Sequence, residues 1–400
     1  MADATIRRHH YTLFAAAVLV VGLNLRPIMA AIGPILGPIQ SDTSVSDAVA
    51  GLLTTLPVLA MGIFALFGGL LQRMLGVEKT VLYGLIAVGI ASLTRVVFYD
   101  EPGLIATAAL GGVGIAVIQA VLPGLIKRDH ADRAGQLMAL YTTGIMAGAM
   151  ISSSASAPLS RAIGWPESLS IWSIFAVIAF VIWSAATTGR KRIEGSSGHA
   201  LPLGSARAWY LLVFFGIGTS AYTLVLAWLP PFYVQRGWSG TSSGLLLGGL
   251  TLTQVIAAVG LSSVVDRFTD RRPILLLILV LIGCGLLCLL IAPKPLAIPA
   301  LLLLGIGIGG LFPMSLIVTA DHLQEAGQAG ALMGFVQGGG YIVASIMPFV
   351  SGILREQLHD LTMAWLVMLA GIAVQILMVP RLSPQYSLSK TDWRLCKNSL

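Results

Sequence analysis

The chain is predicted to be all-α, a polytopic membrane protein of 12 transmembrane helices in two pseudo-symmetric six-helix bundles. Of its 400 residues, 56% are hydrophobic and only 10% charged. Soluble domains run nearer 45–50% apolar and about 25% charged. Apolar runs long enough to cross a bilayer, about 20 residues at roughly 1.5 Å each, alternate with short polar punctuation from end to end. Short motifs also recur half a chain apart.

The apolar runs span residues 11–39, 48–71, 80–98, 103–126, 134–157, 167–187, 208–230, 242–264, 273–292, 296–320, 329–353 and 361–380. Arg7 and Arg8 ahead of the first run suggest a signal peptide. Asn24 and Arg26 continue that run without a clear cleavage site, and many spans follow, so the run is read as a helix. With the N-terminus placed in the cytoplasm, segments on that side hold eighteen Lys and Arg residues. The opposite side holds only Arg161, Arg236, Lys294 and Arg355. Basic residues gather in cytoplasmic loops, so the bias predicts both termini in the cytoplasm. The net charge of +7 is therefore spread over loops on one side, and no nucleic-acid partner is expected. Three cysteines carry no disulfide framework, and Cys284 and Cys288, one helical turn apart, are expected to pack.

The expected order is a cytoplasmic segment (1–10), an N-terminal bundle (11–187), a cytoplasmic linker (188–207), a C-terminal bundle (208–380) and a cytoplasmic tail (381–400). The linker is polar, basic and Gly/Ser-bearing; the tail lacks an apolar stripe and is expected to be disordered. Ala134-Gly135-Gln136-Leu137-Met138 recurs as Ala329-Gly330-Ala331-Leu332-Met333, and Asp129-His130 as Asp321-His322. Gly51-Leu52-Leu53 opens the second helix as Gly244-Leu245-Leu246 opens the eighth, and the glycine-rich stretch 111–123 has a looser echo at 305–313. Offsets of 192 to 195 throughout mean two homologous halves in parallel orientation.

Two parallel six-helix repeats joined by a central cytoplasmic loop resemble the major facilitator superfamily. Its loop signature, Gly-x-x-x-Asp-Arg-x-Gly-Arg-Arg, stands here in degraded form. After Gly69, Arg73 replaces the expected aspartate; the second half keeps an acidic-basic pair in Asp266-Arg267, followed by Asp270-Arg271-Arg272. Within the superfamily the chain resembles the cyanate permease group, which also contains nitroimidazole exporters. The residues concerned are Gly22 to Pro27 (GLNLRP), Leu53 to Val58 (LTTLPV), Gly111 to Arg128, Ala227 to Pro230, Asp270 to Arg272 and Gln337 to Tyr341. The resemblance implies a multi-pass protein of the bacterial inner membrane that moves a small-molecule substrate, expected to act as a monomer in the lipid bilayer. It also implies a cavity lined chiefly by the first, fourth, seventh and tenth helices.

Arg26 is the most telling residue. Its guanidinium stays protonated, and at bilayer depth it costs at least about 2.5–3.5 kcal/mol on insertion scales. More than a dozen residues lie on either side within the apolar run, which strains snorkelling, so a bound anion is the expected compensation. Other polar residues at suitable depth are Asn24, Gln119, Tyr141, Tyr222, Gln254, Gln337 and Tyr341, and with Arg26 they form the predicted substrate-binding set. Gln337 and Tyr341 share a helix face at spacing four. Arg95, near the outer end of the third helix, is expected to snorkel in a structural role, and Trp228 to anchor at the interface. Asp129, Asp321, Asp266 and Arg267 lie at cytoplasmic helix ends and are expected to gate or cap.

All seventeen acidic residues fall in loops, tails or helix ends. Flux is therefore expected to follow the solute gradient or to exchange solutes, with little proton dependence. The chain has no Walker loop, metal-ligand spacing or nucleophile–base pairing, so no cofactor, metal, primary pumping or catalysis is expected. The leading reading is a secondary transporter of a small anionic or polar solute, cyanate-like, working by alternating access. The rivals are an exporter of neutral nitroaromatic compounds and a transporter-like receptor without net flux.

Overall fold

The computed structural model describes residues 2–188, 201–268, 270–321 and 326–382. Most of the predicted linker, the tail from 383, and the side chains of Arg7, Arg8 and Asp266 lie outside the described residues. Twelve helices are long and apolar enough to cross a membrane. Helix α1 runs Ala2–Leu23 and resumes in the pieces Pro27–Ala30 and Leu36–Thr43. Then follow α2 (Asp47–Leu75), α3 (Val77–Leu93), α4 (Glu101–Asp129), α5 (Ala134–Ile163) and α6 (Trp165–Ser170 with Ser173–Thr187). The second half holds α7 (Ala206–Gln235), α8 (Gly240–Val264), α9 (Arg272–Ile291), α10 (Ala297–Asp321), α11 (Ala326–Leu358) and α12 (Thr362–Met378).

Both halves are assembled alike. The first helix packs on the fifth, the second on the fourth, and the third on the fourth and sixth, in α1–α6 and again in α7–α12. Small residues let these helices approach closely, the usual device where lipid removes the hydrophobic drive between helices. A Cβ on Gly84 would meet the Gly114 carbonyl oxygen at 2.8 Å, and one on Gly112 would meet the Pro57 backbone at 2.5 Å. Large apolar side chains such as Ile256, Ile291 and Leu377 are exposed and line the outer wall, facing where acyl chains would lie. Cys284 joins them: it is exposed, so the expected packing role fails there.

The halves meet along α2–α11 and α5–α8, most tightly at the end away from the chain termini. Gly51 opens α2 against Pro348 and Phe349 of α11, while its repeat partner Gly244 opens α8 against Ser153 of α5. Arg355 Nη1 donates to Asp47 Oδ1 at 2.8 Å, and the Ala48 N–H donates to Glu356 at 3.2 Å. Across the other seam Arg161 donates to Thr241. A cavity of about 210 Å³ lies among these residues, bordered by Pro34, Ala157, Arg161, Gly240 and Arg355. At the terminal end the described ion pairs Arg128–Glu78 and Arg271–Asp321 each stay within one half. There a Cβ on Gly135 of α5 or Gly260 of α8 would meet nothing within 4 Å. The bundle is latched at its far end and splayed beside Gly135 at its terminal end, while α2 and α11 stay in contact as far as Ala65 and Gly334.

Trp228, expected at an interface, is instead buried in the second half, where its indole N–H donates to the Pro348 carbonyl at 2.9 Å. Pro348 lacks an N–H and so leaves the Ala344 carbonyl without its helical donor; the Thr223 hydroxyl supplies one at 2.9 Å. Proline and its repair together hold α7 on α11.

Candidate solute-binding site

The site starts from the break in α1. The residue before a proline avoids helical geometry, and Arg26, ahead of Pro27, takes φ −122° and ψ −24°. The predicted continuous helix is therefore interrupted at Asn24–Arg26, and the Arg26 side chain is turned into the space between the halves. It is 6% exposed. Its Nη1 reaches Met61 Sδ of α2 at 3.6 Å, and its guanidinium carbon lies 5.5 Å from the centre of the Tyr222 ring on α7. Both are soft partners: a thioether is a weak acceptor and an aromatic face a modest cation site. Among the described residues no carboxylate pairs with Arg26.

Tyr141 of α5 lies within electrostatic reach of Arg26 and Tyr341, and beside the Gln119 amide of α4 without a hydrogen bond of good geometry. Tyr341 of α11 is within reach of Arg26 and Tyr222, and its ring stands edge-on to Phe215 at 5.7 Å. Residues of α2, α5, α7 and α11 thus converge on the guanidinium that α1 supplies. Arg26 Nε, Tyr141 Oη and Tyr222 Oη are buried without partners. All three can donate, and burying such a group unsatisfied costs about 1–3 kcal/mol. The arrangement calls for a ligand rich in acceptors.

Other predicted residues fall elsewhere. The Asn24 amide nitrogen is engaged away from Arg26, donating to the Val20 carbonyl at 2.8 Å and to the Phe175 carbonyl of α6 at 3.1 Å. It therefore braces the broken end of α1 against an outer helix. Gln254 is buried where α8 packs on Gly309 of α10, with its amide nitrogen unpartnered. Gln337 is half-buried one turn from Tyr341, on the splayed side. Asp129 bonds the adjacent Arg128, and Asp321 bonds Arg271, so both of these ion pairs at the expected gates stay within one half. Arg267 is exposed. The Arg272 side chain and backbone N–H both bond Asp270, holding that carboxyl below the usual carboxylate range and keeping the pair ionised.

Sequence reasoning missed Met61, Asp47 and Arg355. The repeat offset was a usable signal for the latches: Arg355 is 194 residues beyond Arg161, and Thr241 194 beyond Asp47. Arg95 was seen but misdirected, since it is 1% exposed and points inward.

Comparison with known proteins agrees with the architecture. The profile of the Major Facilitator Superfamily matches residues 13–348. The chain belongs to that superfamily. It is 35% identical over 357 residues to the cyanate transport protein CynX of Escherichia coli (strain K12), covering 87% of this chain and 91% of the relative. The 2-nitroimidazole transporter of the same organism is 29% identical over 371 residues, covering 91% and 92%. Among solved structures, a D-xylose-proton symporter superimposes with a TM-score of 0.74 at 16% identity, over 95% of this chain and 100% of that one, a likeness of fold. A major facilitator chain of this kind is a secondary transporter.

Proposed function

We propose that this transporter carries a small monovalent anion of cyanate size, bound against Arg26 and passed between the two faces by alternating access. The observation that carries the reading is the buried, acid-free guanidinium with an unpartnered Nε, faced by two unpartnered phenols. A monovalent anion cancels the charge and accepts those donors, and charge-assisted hydrogen bonds are the strong kind. The cyanate-transporting relative supports the same class. Both termini lie in the cytoplasm on the loop-charge bias, so the splayed end faces inward and the latched end outward. With Gln337 on the splayed side, the anion would meet that amide before it reaches Arg26. A second reading is a neutral planar nitro compound, supported by the Tyr222 ring against the guanidinium, by the Tyr341 and Phe215 rings packed edge-on beside it, and by the nitroimidazole-transporting relative.

Calorimetry or thermal shift with cyanate on purified full-length variants tests the proposal. Arg26→Gln is expected to weaken binding by about tenfold or more, the worth of a charged hydrogen bond. Arg26→Lys should fall between, since it keeps the charge but loses the planar fork. Binding of cyanate by a folded Arg26→Gln variant as tightly as by the parent makes the arginine structural and moves the assignment to the neutral nitro compound.

A further inference from the structure

A second arginine is buried in the same half. Arg95 sits in the tight turn Thr94–Val96 that ends α3, and that turn swings its side chain inward rather than along the helix to the interface. Its Nε donates to Thr107 Oγ1 of α4 at 3.3 Å, and its Nη1 donates to the Ile28 carbonyl at 3.2 Å. The second contact follows from the break in α1. In an intact helix the Ile28 carbonyl would accept from the Ile32 N–H, but here that N–H turns to Met29 at 3.3 Å. Arg95 caps the carbonyl that the break sets free, two residues beyond Arg26.

The side chain of Ile28 is pinned as well, because Gly111 of α4 leaves just the room its Cδ1 fills. Backbone and side chain of the segment after Arg26 are thus both held by the α3–α4 pair. A neutral amide or hydroxyl could cap one carbonyl without a buried charge. Arg95 instead keeps its Nη2 unpartnered, and no carboxylate pairs with it among the described residues. A charge 1% exposed and without a counter-ion among the described residues is costly to keep, even at the end of a span.

We infer that Arg95 is a positioning residue of the solute site: by holding the Ile28 carbonyl it fixes the unwound segment that aims Arg26. The inference rests on the anion-carrier reading above. It makes the two guanidiniums one unit, although one of them never touches the solute.

A double-mutant cycle tests this, with cyanate dissociation constants from calorimetry and thermal unfolding measured on the same full-length proteins. Arg95→Gln is expected to weaken cyanate binding about tenfold and Arg95→Lys to restore most of it. In an Arg26→Gln background, Arg95→Gln should change the residual affinity less than about twofold, since it acts through Arg26. Thr107→Val, which loosens Arg95 without removing its charge, should weaken binding by about threefold and serves if Arg95→Gln does not fold. The inference is overturned if Arg95→Gln, or Thr107→Val in its place, lowers the unfolding temperature but leaves cyanate affinity at the parent value. It is equally overturned if the Arg95→Gln effect is undiminished in the Arg26→Gln background. Parent-like binding by Arg26→Gln alone instead removes the anion-carrier reading beneath it.

Discussion

Helices α1 and α7 hold the same station in the two halves, yet they are built differently. α1 breaks at Arg26, and its loose carbonyls take side-chain donors: Asn24 serves Val20, while also reaching Phe175 of α6, and Arg95 serves Ile28. α7 runs unbroken from Ala206 to Gln235 although Pro230 and Pro231 lie within it. It offers the site a phenol, Tyr222, where α1 offers a charge. Duplicated helices have diverged into one that is unwound and charged and one that is regular and neutral. On the anion-carrier reading proposed above, the break marks the solute's place, since transporters commonly bind at discontinuous helices, and the division of labour then lies along the interface of the halves.

The largest expected effect tests how each helix is held. α1 crosses α5 with Gly144 and Gly148 against the Leu19 and Leu23 carbonyl oxygens. The repeat partner of Gly144 is Gly339, 195 residues on, and where α7 crosses α11 it lies against the tip of the Leu212 side chain. A backbone carbonyl cannot retreat, whereas a leucine tip can change rotamer. Gly144→Ala should therefore cost about 3 kcal/mol of stability and Gly339→Ala about 1 kcal/mol, the two ends of the usual overpacking range. Thermal unfolding in detergent reads both. Equal losses would mean that the two crossings are equally rigid.

An intermediate effect is expected at the latches. Arg355–Asp47 is an ion pair between side chains 17% and 18% exposed, and Asp47 is held further by Gln40 at 2.8 Å. Its symmetry mate, Arg161–Thr241, is neutral on one side and exposed. Removing one member of a partly buried ion pair destabilises the closed end, so Asp47→Asn should open it more often, by about tenfold. Thr241→Ala should do so by about twofold, as expected for an exposed pair. An impermeant thiol reagent added outside intact cells, acting on Ala157→Cys in a background lacking the native cysteines, reports the opening. Labelling from the cytoplasmic side alone would reverse the orientation.

The spans and the repeat were legible because they are local or periodic properties: apolar length fixes a crossing, and an offset near 194 fixes parallel halves. The depth of Arg26 was legible for the same reason. Azimuth was not. Arg95 was placed at an interface because sequence gives its height, while the turn Thr94–Val96 decides which way it points. The bond of Asn24 to α6 was not legible either, because its partner, Phe175, lies 151 residues away on an outer helix. Asp47 and Arg355, 308 residues apart, each read alone as an ordinary charge at a helix end.

The smallest effect sharpens what α7 contributes. The Tyr222 ring faces Arg26, and its hydroxyl is buried without a partner. The ring offers the guanidinium a cation–π contact; the hydroxyl offers a bound anion a hydrogen bond. Tyr222→Phe keeps the first and removes the second, so cyanate affinity should fall by about threefold, within the range of a neutral hydrogen bond. Tyr222→Leu removes both, and its further loss isolates the ring, about 0.5–2 kcal/mol depending on how dry the contact is. The parallel change Tyr141→Phe, in the charged half, should match Tyr222→Phe if the anion sits between the two phenols. A loss from Tyr141→Phe alone would place the anion wholly on the first half, leaving α7 as a wall and making the division between the halves complete.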